Sequence, residues 1–277
     1  MLTYLSIMAC GLVMGTEGED AAKRETARME GTWSFASVEV DGAKQPEQPF
    51  AANKIIILKD GGFVIVQGSR ITHGTLKPDP SKTPKEYDST ITDGPAKDST
   101  FKCIYELEGD SFKLCGSYRG GQRPTEFVTK PGSGLVLQVL KREKQSVKDA
   151  LAEAARKELA GTWQSTSLVK DGTAASEADA KKMTLTIDEE GKATEVGQDG
   201  ASVAAAMVVD PSTNPMTIDI TYAEGEMKGR TAPGIYRLEN DILTVCRAAT
   251  GGERPSEFSS KAGRTLVTYR RESPETK

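Results

Sequence analysis

Histidine is almost absent from this sequence, which has one, His73, among its 277 residues. A single histidine excludes zinc sites built on two histidines, including the H-E-x-x-H motif, and gives little basis for a Ser-His-Asp triad. The sequence also contains no G-x-S-x-G elbow, no P-loop and no dinucleotide-binding fingerprint. We therefore expect a protein that is not an enzyme and that uses no cofactor and no metal.

Long apolar runs and excess positive charge are also lacking. No stretch reaches the roughly 18 apolar residues that a membrane-spanning helix needs, so no membrane span is predicted. The formal net charge is −4, and no basic stripe stands out. Because nucleic-acid binders carry a positive surface that neutralises phosphates, the sequence predicts no nucleic-acid partner.

Cysteine is scarce, and its four positions, Cys10, Cys103, Cys115 and Cys246, include no C-x-x-C pair. If Gly109-Asp110 is a two-residue hairpin turn, Cys103 and Cys115 point to opposite faces of their hairpin. That arrangement argues against a disulfide between them. We expect the cysteines in strands to act as small buried hydrophobic residues.

The N-terminal segment predicts export. Residues 2–14 are mostly apolar and resemble the hydrophobic region of a secretory signal peptide, although no Lys or Arg precedes them. Ile7 to Cys10 loosely resembles a lipoprotein box, in which Cys10 would carry the lipid. We therefore predict a signal or lipoprotein leader at residues 1–19 and a location in the periplasm, in the cell envelope or outside the cell. The alternative is a disordered N-terminus.

What the sequence does contain is a repeat, in which a hairpin followed by a charged loop occurs twice with the same spacing. Residues 104–127 of the first copy correspond to residues 235–258 of the second. Self-similarity at a fixed period outranks any single motif, and each copy is long enough to bury its own core. We predict two domains, each preceded by a helix. The predicted segments are residues 20–143 for the first domain with its helix, 144–160 for a linker helix and 161–277 for the second domain.

Within each copy, apolar residues alternate with polar ones, as in half-buried strands, and turn residues separate the runs. About eight short strands per copy favour an up-and-down β-barrel, because closure removes exposed strand edges. Every second loop of such a barrel lies at the same end. The loops predicted to share one end are those at Asp41-Gly42, Gly68-Ser69, residues 93–97 and residues 120–127.

Two residues in each copy make it similar to lipocalins. Trp33 in the first strand and Arg142 in the last recur as Trp163 and Arg271. In lipocalins such a tryptophan fills the closed end of the barrel and the arginine packs over its ring, an arrangement that cation–π attraction favours. The resemblance therefore implies two tandem lipocalin-like barrels, each closed at one end by this pair.

The chain also resembles an uncharacterised domain family that is expanded in planctomycete bacteria, often exported and often duplicated. The resemblance covers nearly all of residues 29–272 and implies a fold and an architecture without an activity. The second copy carries the pattern most fully. The matching positions are Gly161-Thr162-Trp163, Asp171-Gly172, Asp219, Gly234-Ile235-Tyr236, Leu238, Asp241, Cys246, Arg254-Pro255, Phe258 and Arg271-Glu272.

The Arg-Pro-x-Glu-Phe loop is the candidate binding site, because strand parity places it at the open end of the barrel, opposite the tryptophan and arginine. Its arginines are suited to a two-pronged hydrogen bond with an anionic head group. In the alternative interpretation each arginine pairs with the glutamate of its own loop and only holds that loop in place. The candidate residues are Arg123, Glu126 and Lys97 in the first copy and Arg254, Glu257 and Lys228 in the second.

Three function classes follow from these patterns. The first is a non-catalytic binding protein that holds a small, partly apolar or amphipathic molecule in one or both barrels. The second is a structural or protein-interaction module of the cell envelope with filled barrels. The third and most distant is a hydrolase that depends on carboxylates such as Glu257. Small residues, including Ser165, Ser167 and Ala204 to Ala206, predict more room in the second barrel than in the first.

Overall fold

The computed structural model describes residues 16–68, 70–118, 120–261 and 263–272. Cys10 and most of the predicted leader lie outside the described residues. The chain forms two compact units; apart from Val66–Ile71, which is grouped with the second, the first unit ends at Glu143 and the second begins at Lys144.

The first unit consists of one helix followed by nine strands. Apolar residues recur at every second position of its strands, because successive side chains point to opposite faces and only one face packs into the core. The elements are α1 (Thr16–Met29), β1 (Gly31–Val40), β2 (Ala43–Lys44), β3 (Lys54–Ile57), β4 (Gly62–Gln67), β5 (Arg70–Asp79), β6 (Lys85–Ile91), β7 (Thr100–Glu108), β8 (Ser111–Ser117) and β9 (Leu135–Arg142).

The second unit repeats this order and adds a one-turn helix before its third strand. The hydroxyls of Ser146 and Ser176 accept hydrogen bonds from the backbone N–H groups of Asp149 and Asp179, and so cap the two helices. The elements are α2 (Val147–Leu159), β10 (Gly161–Lys170), β11 (Thr173–Ala174), α3 (Glu177–Ala180), β12 (Thr184–Ile187), β13 (Lys192–Val196), β14 (Ser202–Asp210), β15 (Met216–Tyr222), β16 (Thr231–Glu239), β17 (Ile242–Ala248) and β18 (Arg264–Arg271).

Each unit is a closed up-and-down barrel of eight antiparallel strands, which confirms the predicted fold. Consecutive strands pair along the sheet, and the first pairs with the last, β1 with β9 and β10 with β18. The two-residue strands β2 and β11 only form a small hairpin with the end of β1 or β10. Closure leaves no long strand edge exposed in either barrel.

The helix that precedes each barrel lies across one end of it, which we call the helix end. The indole Nε1 of Trp33 donates to the carbonyl of Met29, and that of Trp163 donates to the carbonyl of Leu159, both at 2.9 Å. Both tryptophans are fully buried in the cores. The last turn of each helix and the first strand of each barrel are therefore joined by the same hydrogen bond.

The arginine of the last strand lies over the tryptophan at each helix end. The guanidinium carbons of Arg142 and Arg271 are 4.1 Å from the ring centroids of Trp33 and Trp163. Arg271 also donates to the carbonyls of Glu158 and Ala160 at 2.6 and 2.7 Å, which are among the last carbonyls of α2. One guanidinium thus stacks on the aromatic ring and satisfies carbonyls that the helix terminus leaves without partners.

The opposite end of each barrel, which we call the loop end, carries the connections after alternate strands. In the first barrel these connections follow β1, β4, β6 and β8, as the predicted parity requires. The last of them, between Ser117 and Leu135, is the longest. It contains the Arg-Pro-x-Glu-Phe motif.

Candidate functional site

In the first barrel, Arg123 of the long loop is held against the barrel wall. Its Nη1 donates to the carbonyls of Tyr87 and Cys103, which face each other across β6 and β7, at 2.9 and 2.6 Å. Its Nη2 lies 2.5 Å from a carboxylate oxygen of Asp88, and its Nε lies 3.0 Å from Glu86. The guanidinium therefore joins the loop to two adjacent strands.

Arg254 makes the equivalent contacts in the second barrel. Its Nη1 donates to the carbonyls of Ile218 and Gly234 at 3.1 and 2.6 Å, and its Nη2 donates to Asp219 at 2.7 Å. The two carbonyls again belong to residues paired across neighbouring strands, β15 and β16. The same junction is built in both barrels.

The long loop covers the outer face of the wall. Ile235 and Cys246 are paired on β16 and β17 and alternate with the core residues Tyr236 and Val245, so they point outward. They are nevertheless 1% and 0% exposed. The thiol of Cys246 donates to the carbonyl of Ser259 in the loop at 3.4 Å. The loop thus seals an apolar patch on the outside of the barrel.

The alternative interpretation expected each arginine to pair with the glutamate of its own loop, and this pairing was wrong. Glu126 lies 3.7 Å from Lys130, and Glu257 lies 2.8 Å from Lys261, while both arginines pair with aspartates of the wall. Among the described residues, the side chains of Lys97 and Lys228 make no hydrogen bond or ion pair. Among the described residues, the candidate side chains of each copy therefore share no hydrogen bond or ion pair with one another.

An ion pair inside the second barrel escaped the sequence interpretation. The Nη1 and Nη2 atoms of Arg247 donate to the two carboxylate oxygens of Glu195 at 2.7 and 2.9 Å. The side chains are only 17% and 16% exposed. Glu195 lies on β13 and Arg247 on β17, and three strands separate these two in either direction around the barrel. We call Glu195 and Arg247 the lumen pair, because their bidentate contact crosses the barrel interior.

The lumen pair borders a cavity whose wall is formed mainly by small and apolar side chains. The part of the cavity that a water molecule can enter is about 20 Å³. The whole void, including the part that is open to solvent, is about 430 Å³. A volume of about 20 Å³ is enough for a water molecule and too little for a ligand. The apolar lining residues are Leu185, Ala193, Val203, Ala205, Met207, Ile220, Val245 and Val267.

Two tyrosines line the same cavity. Within the part of the chain that the structure describes, the hydroxyls of Tyr222 and Tyr269 make no hydrogen bond. Burial raises the pKa of Tyr269, with the Glu195 carboxylate adding to the effect, so this phenol stays neutral and keeps its proton. The cavity thus combines one cation, one carboxylate and two phenol groups.

The Glu195 carboxylate keeps Arg247 charged. Burial lowers the pKa of Arg247, but the charge and hydrogen bonds of Glu195 outweigh it, and the net shift is upward. A guanidinium in contact with a carboxylate at two points is the strong, geometrically specific form of an ion pair. The sequence contained a signal for it, because Glu195 and Arg247 occupy inward positions of strands whose other inward residues are apolar.

The first barrel has no equivalent of the lumen pair. Ile65 stands at the position of Glu195, and Gly116 stands at the position of Arg247. Its interior charges lie instead at the helix end, where Glu25 of α1 accepts hydrogen bonds from Lys85 at 2.6 Å and from Tyr105 at 3.2 Å. The two barrels therefore share a fold and differ in the polarity of the interior at the loop end.

Side-chain size also differs between the two interiors. Phenylalanines 35, 63 and 101 of the first barrel correspond to Ser165, Ala193 and Ala232 of the second. Of the small residues named from the sequence, Ser165 and Ala205 are buried, whereas Ser167 and Ala206 are exposed. Of the positions that the sequence interpretation gave, Ser165 and Ala205 therefore contribute room in the second barrel, together with Ala193 and Ala232, which it did not name.

The single histidine lies at the loop end of the first barrel. Its Nδ1 is 2.5 Å from a carboxylate oxygen of Asp93, and its backbone N–H donates to the other oxygen at 2.9 Å. No three His, Cys, Asp or Glu side chains in the described ranges are grouped closely enough to hold a metal ion. Among the described helices, none is long and apolar enough to cross a membrane.

The cysteines that the structure describes are all free and buried. Cys103 pairs with Gly116 across its hairpin, and Cys115 pairs with Ile104, so the two thiols point to opposite faces as predicted. Burial raises the pKa of Cys103 to about 11. Such thiols behave as small apolar side chains rather than as nucleophiles.

Comparison with known proteins yields little. No protein-family model matches the chain, and no curated protein matches it. A solved structure from Nostoc punctiforme, a protein with unknown function from the DUF3598 family, is similar over 90% of this chain and 98% of its own. The two sequences are 10% identical, and the TM-score is 0.25.

Proposed function

We propose that this protein is a non-catalytic binding protein of two lipocalin-like barrels, and that its second barrel holds a small, partly apolar molecule. The observation that carries the proposal is the lumen pair, a bidentate ion pair in a cavity lined otherwise by apolar side chains and two tyrosines. Packing alone does not require such a pair, since well-packed hydrophobic residues in its place are often at least as stable. A few convergent polar groups in an apolar cavity are typical of ligand sites.

The volume of the cavity sets a condition on this function. With Glu195 and Arg247 joined, the interior has room for water only. A ligand must therefore separate the two side chains and take over their hydrogen bonds. Once the pair is separated, the apolar part of the ligand packs against small wall residues such as Ala193 and Ala205.

A filled-barrel interaction module is the second candidate. The observation in its favour is the same small void of about 20 Å³. In the first barrel, Phe63 approaches so closely that a Cβ added to Gly74 would lie 2.2 Å from its ring. In this alternative the lumen pair only fixes the barrel, and partners bind on the outer surface.

Hydrolase activity is the least supported alternative. A glycosidase needs two carboxyl groups near each other, one of them with a raised pKa. The neighbouring Lys261 lowers the pKa of Glu257. Asp219 is occupied by Arg254. Hydrolysis of a glycoside library that disappears in Glu257→Gln would nevertheless establish this activity.

Export is part of the proposal and rests on the apolar residues 2–14. Fractionation of the native host tests it, with an antibody against the barrels. We expect the protein in the periplasmic or membrane fraction and a change of fraction in Cys10→Ser if Cys10 carries lipid. Recovery of the whole chain, Met1 included, in the cytosol would contradict export.

Native mass spectrometry tests the binding function. The full chain is purified gently from its own host, as wild type and as the variant Arg247→Met. We expect a reproducible extra mass on the wild type that the variant lacks. The exposed Arg270, one strand away on β18, provides the matched control Arg270→Met, which should keep the extra mass. Bare masses for all three proteins would favour the filled-barrel alternative.

A further inference from the structure

The lumen pair restricts which molecules the second barrel can accept. Arg247 and Glu195 together carry no net charge, and both are largely withdrawn from water. Removing one partner of a buried ion pair leaves the other charge uncompensated, which is costly. A ligand that separates the pair must therefore offer a negative group to Arg247 and a positive group to Glu195.

We propose, building on the binding function above, that the second lumen binds a small zwitterion, a molecule with a carboxylate and an ammonium group beside a compact apolar side chain. Such a ligand replaces one buried ion pair by two and leaves the net charge of the lumen unchanged. A plain carboxylate would leave Glu195 without a partner, and a plain amine would leave Arg247 without one.

The chemistry of the lining groups fits each part of such a molecule. The planar guanidinium of Arg247 matches a carboxylate at two points, as it already does with Glu195. Glu195 can accept hydrogen bonds from an ammonium group. The hydroxyls of Tyr222 and Tyr269, which make no hydrogen bond within the described residues, lie in the same cavity as further donors. Met207 and Leu185 give the apolar side chain a surface to pack on.

Only the second barrel has the charged pair that the binding of a zwitterion requires. The first barrel carries Ile65 and Gly116 at the positions of Glu195 and Arg247, so its lumen offers neither a cation nor a carboxylate at these two positions. The proposal therefore requires one site per chain, and the first barrel serves as an internal control.

Titration calorimetry of the full chain tests the ligand class. The probe is L-leucine, and its matched analogues are 4-methylpentanoate, which lacks the ammonium group, and 3-methylbutylamine, which lacks the carboxylate. We expect leucine to bind at one site per chain and each analogue to bind at least about tenfold more weakly, which corresponds to roughly 1.4 kcal/mol. An analogue that binds as tightly as leucine would overturn the zwitterion class.

Variants separate recognition from folding. Arg247→Met and Glu195→Gln should each weaken leucine binding by at least about tenfold, a loss of roughly 1.4 kcal/mol, while Arg270→Met should leave it unchanged. The double variant Arg247→Met with Glu195→Leu keeps an apolar, packed lumen and should unfold cooperatively without binding leucine. Undiminished binding by this folded double variant would overturn the proposal.

The outcome also distinguishes this proposal from the function on which it rests. A bound mass on the protein from its host, lost in Arg247→Met but with no leucine affinity, would support the binding function and overturn the zwitterion class. The absence of both the bound mass and leucine affinity would overturn both.

Discussion

Arg247 and Glu195 meet across the interior of the second barrel, from strands that are separated by three others in both directions around the barrel. The contact therefore ties opposite sides of the wall to each other through the lumen. A barrel that needed only packing at this level would use side chains like Ile65 of the first barrel, which occupies the position of Glu195.

The lumen pair should cost stability rather than add to it. We expect Arg247→Met and Glu195→Leu each to lower the free energy of unfolding by about 3 kcal/mol, because each leaves one buried charge unpaired. The double variant should be as stable as the wild type or more so. Urea unfolding of the four proteins provides the measurement. A double variant clearly less stable than the wild type would show that the pair is a net stabilising element.

The features that the sequence predicts correctly arise from patterns along the chain, whereas those that it misses arise from contacts between residues that are distant in the sequence. The barrels follow from period-two patterning and from the repeat, which are local signals. The lumen pair depends on which strands face each other across the lumen, and its partners are 52 residues apart. The aspartate partner of Arg254 depends on a loop folding back over the wall, 35 residues from Asp219. Neither contact can be predicted from the spacing of nearby residues.

The arginine at each helix end should stabilise its barrel through its shape as well as its charge. Arg271 stacks on Trp163, donates to two helix carbonyls and lies 2.9 Å from Asp241. Lysine keeps the charge but not the planar set of donors, so Arg271→Lys should lower the unfolding free energy by about 2 kcal/mol. Thermal unfolding measures it, with the neighbouring Arg270→Lys as the control. Equal melting of both variants would contradict this role.

Glu25 should make the first barrel sensitive to acid. Burial raises the pKa of Glu25, but hydrogen bonds and charges from Lys85 and Arg28 outweigh it, so the pKa lies below its ordinary value of 4.5. The pKa of Glu25 is lower in the folded state than in the unfolded state. The ionised carboxylate therefore stabilises the fold fully above the unfolded pKa, and this stabilisation is lost as the pH falls through the folded pKa.

The measurement compares the unfolding free energy at neutral and acid pH for the wild type and Glu25→Gln. The variant should be less stable at neutral pH and should lose less on acidification. Glu126→Gln, which changes an exposed carboxylate, should retain the acid dependence of the wild type. An unchanged acid dependence in Glu25→Gln would assign the effect to other carboxylates.

The long loop should protect the thiol of Cys246. Arg254 fixes the loop to the wall, and Cys246 is fully buried beneath it. We expect Arg254→Ala to increase the rate at which Cys246 reacts with a thiol reagent, with Cys115 of the unaltered first barrel as the internal reference. Peptide mapping after timed labelling identifies each cysteine. Equal protection of Cys246 in the variant would show that the loop is held without the arginine.

The measurement that tests the central claim most directly is the nuclear magnetic resonance signal of the arginine Nε–H groups during titration of the full chain with L-leucine. The account predicts that the Arg247 signal shifts and saturates at one equivalent, while the signal of Arg254 at the outer wall stays in place. A stationary Arg247 signal, or a shift at Arg254 instead, would contradict a ligand site in the second lumen.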